Sequence, residues 1–145
     1  MMKKNKIQQR GFTLIEVMVV VVILAILAAI IVPRIMSRPE QARLVKAKTD
    51  IMALENALEM YRLDNGFYPS TAQGIEALIK KPEGEPVPLS WQSGGYLKDV
   101  PQDPWGHAYH YTNPGKHGEI DIWTDGPASG SDKGIVGNWS INKKA

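Results

Sequence analysis

No cysteine occurs anywhere in the 145 residues. That absence excludes a disulfide framework, a thiolate zinc site and a cysteine nucleophile. Also missing are a Gly-x-Ser-x-Gly elbow and any glycine pattern that would cradle a phosphate. The serines, histidines and aspartates that are present therefore carry no hydrolase or nucleotide motif. Net charge is small, with 17 Lys+Arg against 15 Asp+Glu. Its excess sits at one end: Lys3, Lys4, Lys6 and Arg10 precede any acid, and the rest of the chain is slightly acidic. A nucleic-acid-binding domain needs a basic face on its folded body, and this distribution supplies none. Trp91, Trp105, Trp123 and Trp139 have no basic interleaving around them and read as core anchors rather than base-stacking platforms. His107 and His110, three apart, fall on opposite faces of a strand. With His117 they read as surface or edge residues, not as a metal cluster.

The length allows one small domain, and it is preceded by a long apolar run. Phe12 to Val32 is apolar except for Thr13 and Glu16, and nothing polar interrupts Val17 to Val32. As a helix it spans roughly 32 Å, close to the ~30 Å of a bilayer core. In lipid the backbone must satisfy its own hydrogen bonds, so helix is the available conformation. The basic cluster before it predicts a cytoplasmic amino terminus. A cleaved secretory signal fits poorly: the apolar stretch is longer than usual, no A-x-A closes it, and Glu16 lies inside. A plain signal anchor fits the length but leaves Glu16 unexplained. A carboxylate at membrane depth costs about 2.5–3.5 kcal/mol on insertion scales, so such a residue is expected to have a partner.

Pro33 follows the run and removes a helical N–H, which predicts a kink or local loosening. Beyond Pro39 a helical pattern resumes: Ala47, Ile51, Leu54, Leu58 and Tyr61 form one apolar stripe, and Asn65-Gly66 is a stop signal. A helix running from Phe12 to Asn65 would be about 80 Å long. After it, Ser70-Thr71-Ala72-Gln73 resembles a capping box opening a short helix to about Lys81. Prolines 82, 86 and 88 then enforce a loop. Residues 108–112 and 119–124 read as strands joined by the turn Asn113-Pro114-Gly115, with a last strand at 138–142. The expected fold is α+β: a long amino-terminal helix, transmembrane then amphipathic, packed on a small carboxyl-terminal antiparallel sheet. The divisions are a leader (1–11), an apolar helix (12–32), an amphipathic helix (33–65) and a globular region (66–145).

That globular region is loop-rich and has no covalent cross-link, and domains of its size often need a staple. Trp123 to Gly134 places oxygen donors on a glycine-containing loop, a composition that suits calcium. It is not an EF-hand, since the spacing differs and the terminal bidentate Glu is absent. The same composition also describes a solvated loop.

Arg10-Gly11-Phe12-Thr13-Leu14-Ile15-Glu16 resembles the processing motif of type IV pilin-like precursors: a short basic leader, a Gly–Phe junction, Glu four places on and an immediate apolar run. The resemblance implies cleavage after Gly11 by a membrane prepilin peptidase and N-methylation of Phe12, with the apolar segment retained. It also implies that Glu16 meets the α-amine of Phe12 on a neighbouring subunit. Further along, Gly66-Phe67-Tyr68-Pro69, Thr71-Ala72-Gln73-Gly74, Asp103-Pro104-Trp105-Gly106 and Gly137-Asn138-Trp139 are similar to the major pseudopilins of the type II secretion system. That likeness implies a structural subunit, not an enzyme. It also implies a helical homopolymer, a periplasmic pseudopilus that drives folded proteins through the outer membrane, with minor pseudopilins, an inner-membrane assembly platform and a cytoplasmic ATPase as partners. It further implies a calcium loop with carboxylates from Asp125 and Asp132, carbonyls from Ile122 and Gly130, and Ser129 as a further donor. Pro127 and Ala128 depart from the family's glycine-rich, acidic loop interior, and Ile135 stands near where another Asp is usual. Competing readings are a type IV or competence pilin of a surface fibre, and a secreted enzyme released by signal peptidase.

Overall fold

In the computed structural model residues 10–127 and 134–143 are described, the side chains of 31–37 excepted. The leader residues 1–9 and the loop residues Ser129, Gly130 and Asp132 thus lie outside the described residues. Helix α1 runs Leu14–Asn65, 52 residues, continuing through Pro33 and Pro39. The chain divides into two compact units, residues 1–40 and 41–145.

In the second unit the apolar stripe read from the sequence is the core face of α1. Ala47, Ile51, Leu54, Leu58 and Tyr61 are all 0% exposed. The helix ends where Asn65-Gly66 predicts. Asn65 Nδ2 donates to the Tyr61 carbonyl at 2.9 Å, and Gly66 N–H donates to the Arg62 carbonyl at 2.7 Å. Gly66 has φ +84°, a conformation that costs a glycine nothing and a side-chain-bearing residue about 1–2 kcal/mol.

Packed on that face is a three-stranded antiparallel sheet of order β1-β2-β3, with β1 His110–Thr112, β2 Asp121–Thr124 and β3 Val136–Gly137. Tyr111 pairs with Ile122 and Trp123 with Gly137. Ile75, Leu78, Tyr109, Tyr111, Ile120 and Ile122 complete the core with the helix residues. Each such aliphatic side chain contributes about 1.5–3 kcal/mol by leaving water.

Two local expectations are corrected. The capping box forms, since Gln73 N–H donates to Ser70 Oγ at 3.2 Å and Ser70 N–H to Gln73 Oε1 at 2.9 Å. No helix to Lys81 follows, because Gly74 at φ +63° breaks the turn and only a 3-10 segment, Ile75–Leu78, succeeds it. The last segment is not a strand either: Asn138–Ile141 is a short helix, α2. The reason is the Asn138 side chain. Its Oδ1 accepts from Ile122 N–H at 3.1 Å and its Nδ2 donates to the Ile120 carbonyl at 3.1 Å. These are the bonds that a longer β3 would have made, so the backbone is released to turn.

Candidate functional site

Between Phe12 and Ile30, the large apolar side chains of the amino-terminal unit all face outward. From Phe12 (84% exposed) to Ile30 (62%), every one is about half exposed or more. A helix that is apolar around its circumference requires lipid or other helices around it. Among the described residues, however, no helix is long and apolar enough to cross a membrane; the expected span ends at Ile31 and Val32, whose side chains lie outside the description.

Phe12, Glu16, Val17, Val20 and Val21 line one shallow cleft at the start of α1. Thr13 is the cap. Its Oγ1 accepts from Glu16 N–H at 3.3 Å, and its carbonyl accepts from the same N–H at 3.1 Å. Glu16 stands in the first helical turn, where the positive end of the helix dipole favours a carboxylate by about 0.3–1 kcal/mol. The Thr-x-x-Glu spacing of a capping box was visible in the sequence. Glu16 therefore has a local role at the helix start besides any role between copies.

In the second unit, β2 delivers Ile122, wholly buried, and leads into Asp125. Gly126 (φ +74°) approaches Gly134 so closely that an added Cβ would lie 2.3 Å from the Gly134 carbonyl oxygen. The stems of the loop are thus held together by backbone contact that only glycine permits. Asp125 Oδ2 lies 3.0 Å from His110 Nε2, and its side chain is 31% exposed. A half-open carboxylate beside a pinched loop stem fits an oxygen-preferring cation such as calcium, with His110 as the partner it would have to displace or share. Among the described residues no group of three His, Cys, Asp or Glu is positioned to hold a metal. The remaining expected donors, Asp132, Gly130 and Ser129, lie outside the described residues.

Two buried aspartates, Asp103 and Asp121, organise the loops around the sheet in a role that spacing did not reveal. Asp103 Oδ1 accepts from Trp105 N–H at 3.0 Å and His107 N–H at 2.7 Å, while Oδ2 accepts from the Thr124 hydroxyl. The Asp-Pro-Trp-Gly turn is thus held by its aspartate rather than by its tryptophan. Asp121 accepts from the N–H groups of Lys116 (2.9 Å) and His117 (3.2 Å), and from His117 Nδ1 at 2.8 Å. Burial pushes both carboxyls upward, but these hydrogen bonds outweigh it and hold both below the usual carboxylate range. A folded-state pKa below the unfolded value of about 3.9 stabilises the fold above that pH, and the contribution is lost as pH falls through the folded value. The thermal midpoint is therefore expected to drop between pH 5 and pH 2.5. Asp121→Asn should lower the midpoint at pH 6 and flatten that acid limb; an unchanged limb in melts across this range would show that Asp121 is not responsible.

The histidines, read as plain surface groups, are more engaged than that. His110 stacks on Trp123 with ring centroids 5.1 Å apart, and His117 on Trp139 at 3.9 Å. The β1–β2 register, which sets His110 opposite Trp123, produces the first stack and was not visible in spacing alone.

Comparison with known proteins agrees with this architecture. The family described as Type II secretion system (T2SS), protein G matches residues 34–139, and the prokaryotic N-terminal methylation motif matches residues 6–32. A type II secretion system core protein G of Pseudomonas aeruginosa is 57% identical over 136 residues, covering 91% of this chain and 96% of the relative. Another, from Vibrio cholerae, is 54% identical over 144 residues and 97% of each chain. The crystal structure of the major pseudopilin of the type 2 secretion system of enterohaemorrhagic Escherichia coli superposes with a TM-score of 0.67. It is 42% identical, over 72% of this chain and 93% of that one. With a long helix leading into a small antiparallel sheet, a methylation motif at its start and these relatives along its length, the chain belongs to the type II secretion system protein G family, a family of structural pseudopilins and not of enzymes.

Proposed function

We propose that the chain is a precursor cut after Gly11, N-methylated at Phe12 and polymerised into a periplasmic pseudopilus that drives export of folded proteins. Before assembly the apolar half of α1 rests in the inner membrane, amino terminus in the cytoplasm and globular region in the periplasm. The observation that carries this reading is the outward-facing apolar surface from Phe12 to Ile30 with one carboxylate, Glu16, at its start. Lipid covers such a surface in the free subunit, and neighbouring helices cover it in a filament. Glu16 then pairs with the Phe12 amine of the adjacent copy, which offsets desolvation and fixes axial register more than it adds net stability. The prepilin peptidase, minor pseudopilins, assembly platform and cytoplasmic ATPase act on or with the chain in this scheme.

In the loop, Asp125 and Asp132 with the Ile122 and Gly130 carbonyls hold calcium, Ser129 adding a further oxygen. The ion supplies a cross-link between loop strands in a domain that has no covalent one. The precursor scheme is tested by the mature chain's mass and a deletion strain. A terminus at methylated Phe12 together with loss of protein secretion is expected. A terminus beyond Ala29, or normal secretion without the gene, would overturn it.

A further inference from the structure

The globular unit carries an exposed apolar anchor and an aromatic groove that share no residue. The anchor is Leu89, which is 90% exposed although its loop is well fastened. Gln73 Nε2 donates to the Gly84 and Pro86 carbonyls at 2.7 and 2.9 Å. Pro88 is fully buried, and Ser90 N–H donates to Asn65 Oδ1 at 3.1 Å. Leu89 is therefore held outward between fixed points, with Val87 also exposed two residues before it. Little conformational entropy remains to be lost when such a side chain is covered.

The groove lies where Trp123 and Trp139 tilt against each other, ring centroids 6.1 Å apart at 53°. Trp139 is pinned over Gly137, where an added Cβ would meet its ring at 2.5 Å. Thr112, Lys116, His117, Asp121 and Ile135 complete a groove of about 590 Å³. Aromatic-lined grooves of this kind accept a single apolar anchor presented from a turn whose backbone is already ordered. The charges agree. Asp121 is matched within the copy by His117 and two backbone N–H groups, and Asp125 by His110. Lys116 is exposed at the rim, while exposed Glu83 and Glu85 precede Leu89 on the loop.

We propose that the Pro86–Leu89 loop of one copy seats Leu89 in the Trp123–Trp139 groove of a second copy, with Glu83 and Glu85 toward Lys116. The contact rests on the filament reading above and names a surface for it. Because anchor and groove are different patches, the contact is heterologous and propagates rather than closing into a dimer.

The absence of cysteine makes the test clean. In cells assembling the full-length chain, Leu89→Cys with Thr112→Cys should give, on oxidation, a ladder of dimers, trimers and longer species. Co-expressed single variants should give dimers without a ladder. Leu89→Asp, at a position exposed in the single copy, should keep the thermal midpoint yet reduce sedimentable filament at least tenfold. Lys116→Glu should do likewise and be restored by Glu83→Lys with Glu85→Lys. Filaments that form while the cysteine pair gives no more ladder than a Ser93/Lys143 cysteine pair would overturn the docking and leave the filament reading intact. An unsubstituted chain that never sediments under these conditions would overturn both.

Discussion

Glu16→Leu is expected to insert into the membrane normally and to yield no filament. Leucine at this position removes the carboxylate that costs insertion about 2.5–3.5 kcal/mol, so membrane extraction should recover the variant at least as efficiently as the parent. Assembly is another matter. Each new copy would bury the α-amine of Phe12 with nothing to pair it, and breaking a buried ion pair from one side costs about 3–5 kcal/mol. At 1.4 kcal/mol per tenfold this is a loss of ~10²–10⁴ per subunit added, enough to put filament yield below detection. The capping geometry at Thr13 provides the control. Glu16→Gln can still occupy the third position of a capping box but carries no charge, so it should keep the helix start and fail to polymerise like the leucine variant. Filaments from the glutamine variant, counted by electron microscopy, would reduce Glu16 to a capping residue.

Calcium removal should produce the largest change in stability. An ion that binds only the folded loop stabilises by about 2.7 kcal/mol at a hundredfold excess over Kd. For a domain of 60–100 residues, 1 kcal/mol moves the midpoint by about 4–8 °C. A chelator is therefore expected to lower the melting temperature by about 10–20 °C, measured by circular dichroism on the detergent-solubilised chain. Asp125→Ala should melt near the chelated value and no longer respond to calcium. A midpoint that is the same in calcium and chelator would leave the loop an ordinary solvated turn, with His110 as the natural partner of Asp125.

How much could be read from the residues follows from how local each determinant is. The stripe from Ala47 to Tyr61 and the Asn65-Gly66 stop are set by helical spacing and glycine's backbone freedom, and both were legible. The Ser70–Gln73 capping box was legible as well, but its consequence was not, because Gly74 lies one residue beyond it and ends the turn. Residues 138–142 read as a strand on propensity. Only the tertiary position of Asn138, with its amide spliced into the backbone of β2, makes Asn138–Ile141 a helix. The same holds for Asp103 and Asp121, ordinary polar residues in sequence whose importance comes from the N–H groups that loops fold back toward them. At the amino terminus both the motif and the Thr-x-x-Glu cap are local, the cap being set by the spacing of Thr13 and Glu16 alone.

The splice at Asn138 also bears on how copies of the chain meet one another. Sheets with a bare flank invite strand addition by like copies, the first step toward cross-β deposits. Here the flank of β2 beside residues 120–122 is sealed by an amide from its own chain, leaving no template there for a sister molecule. Copies brought side by side therefore meet no open strand edge at that flank.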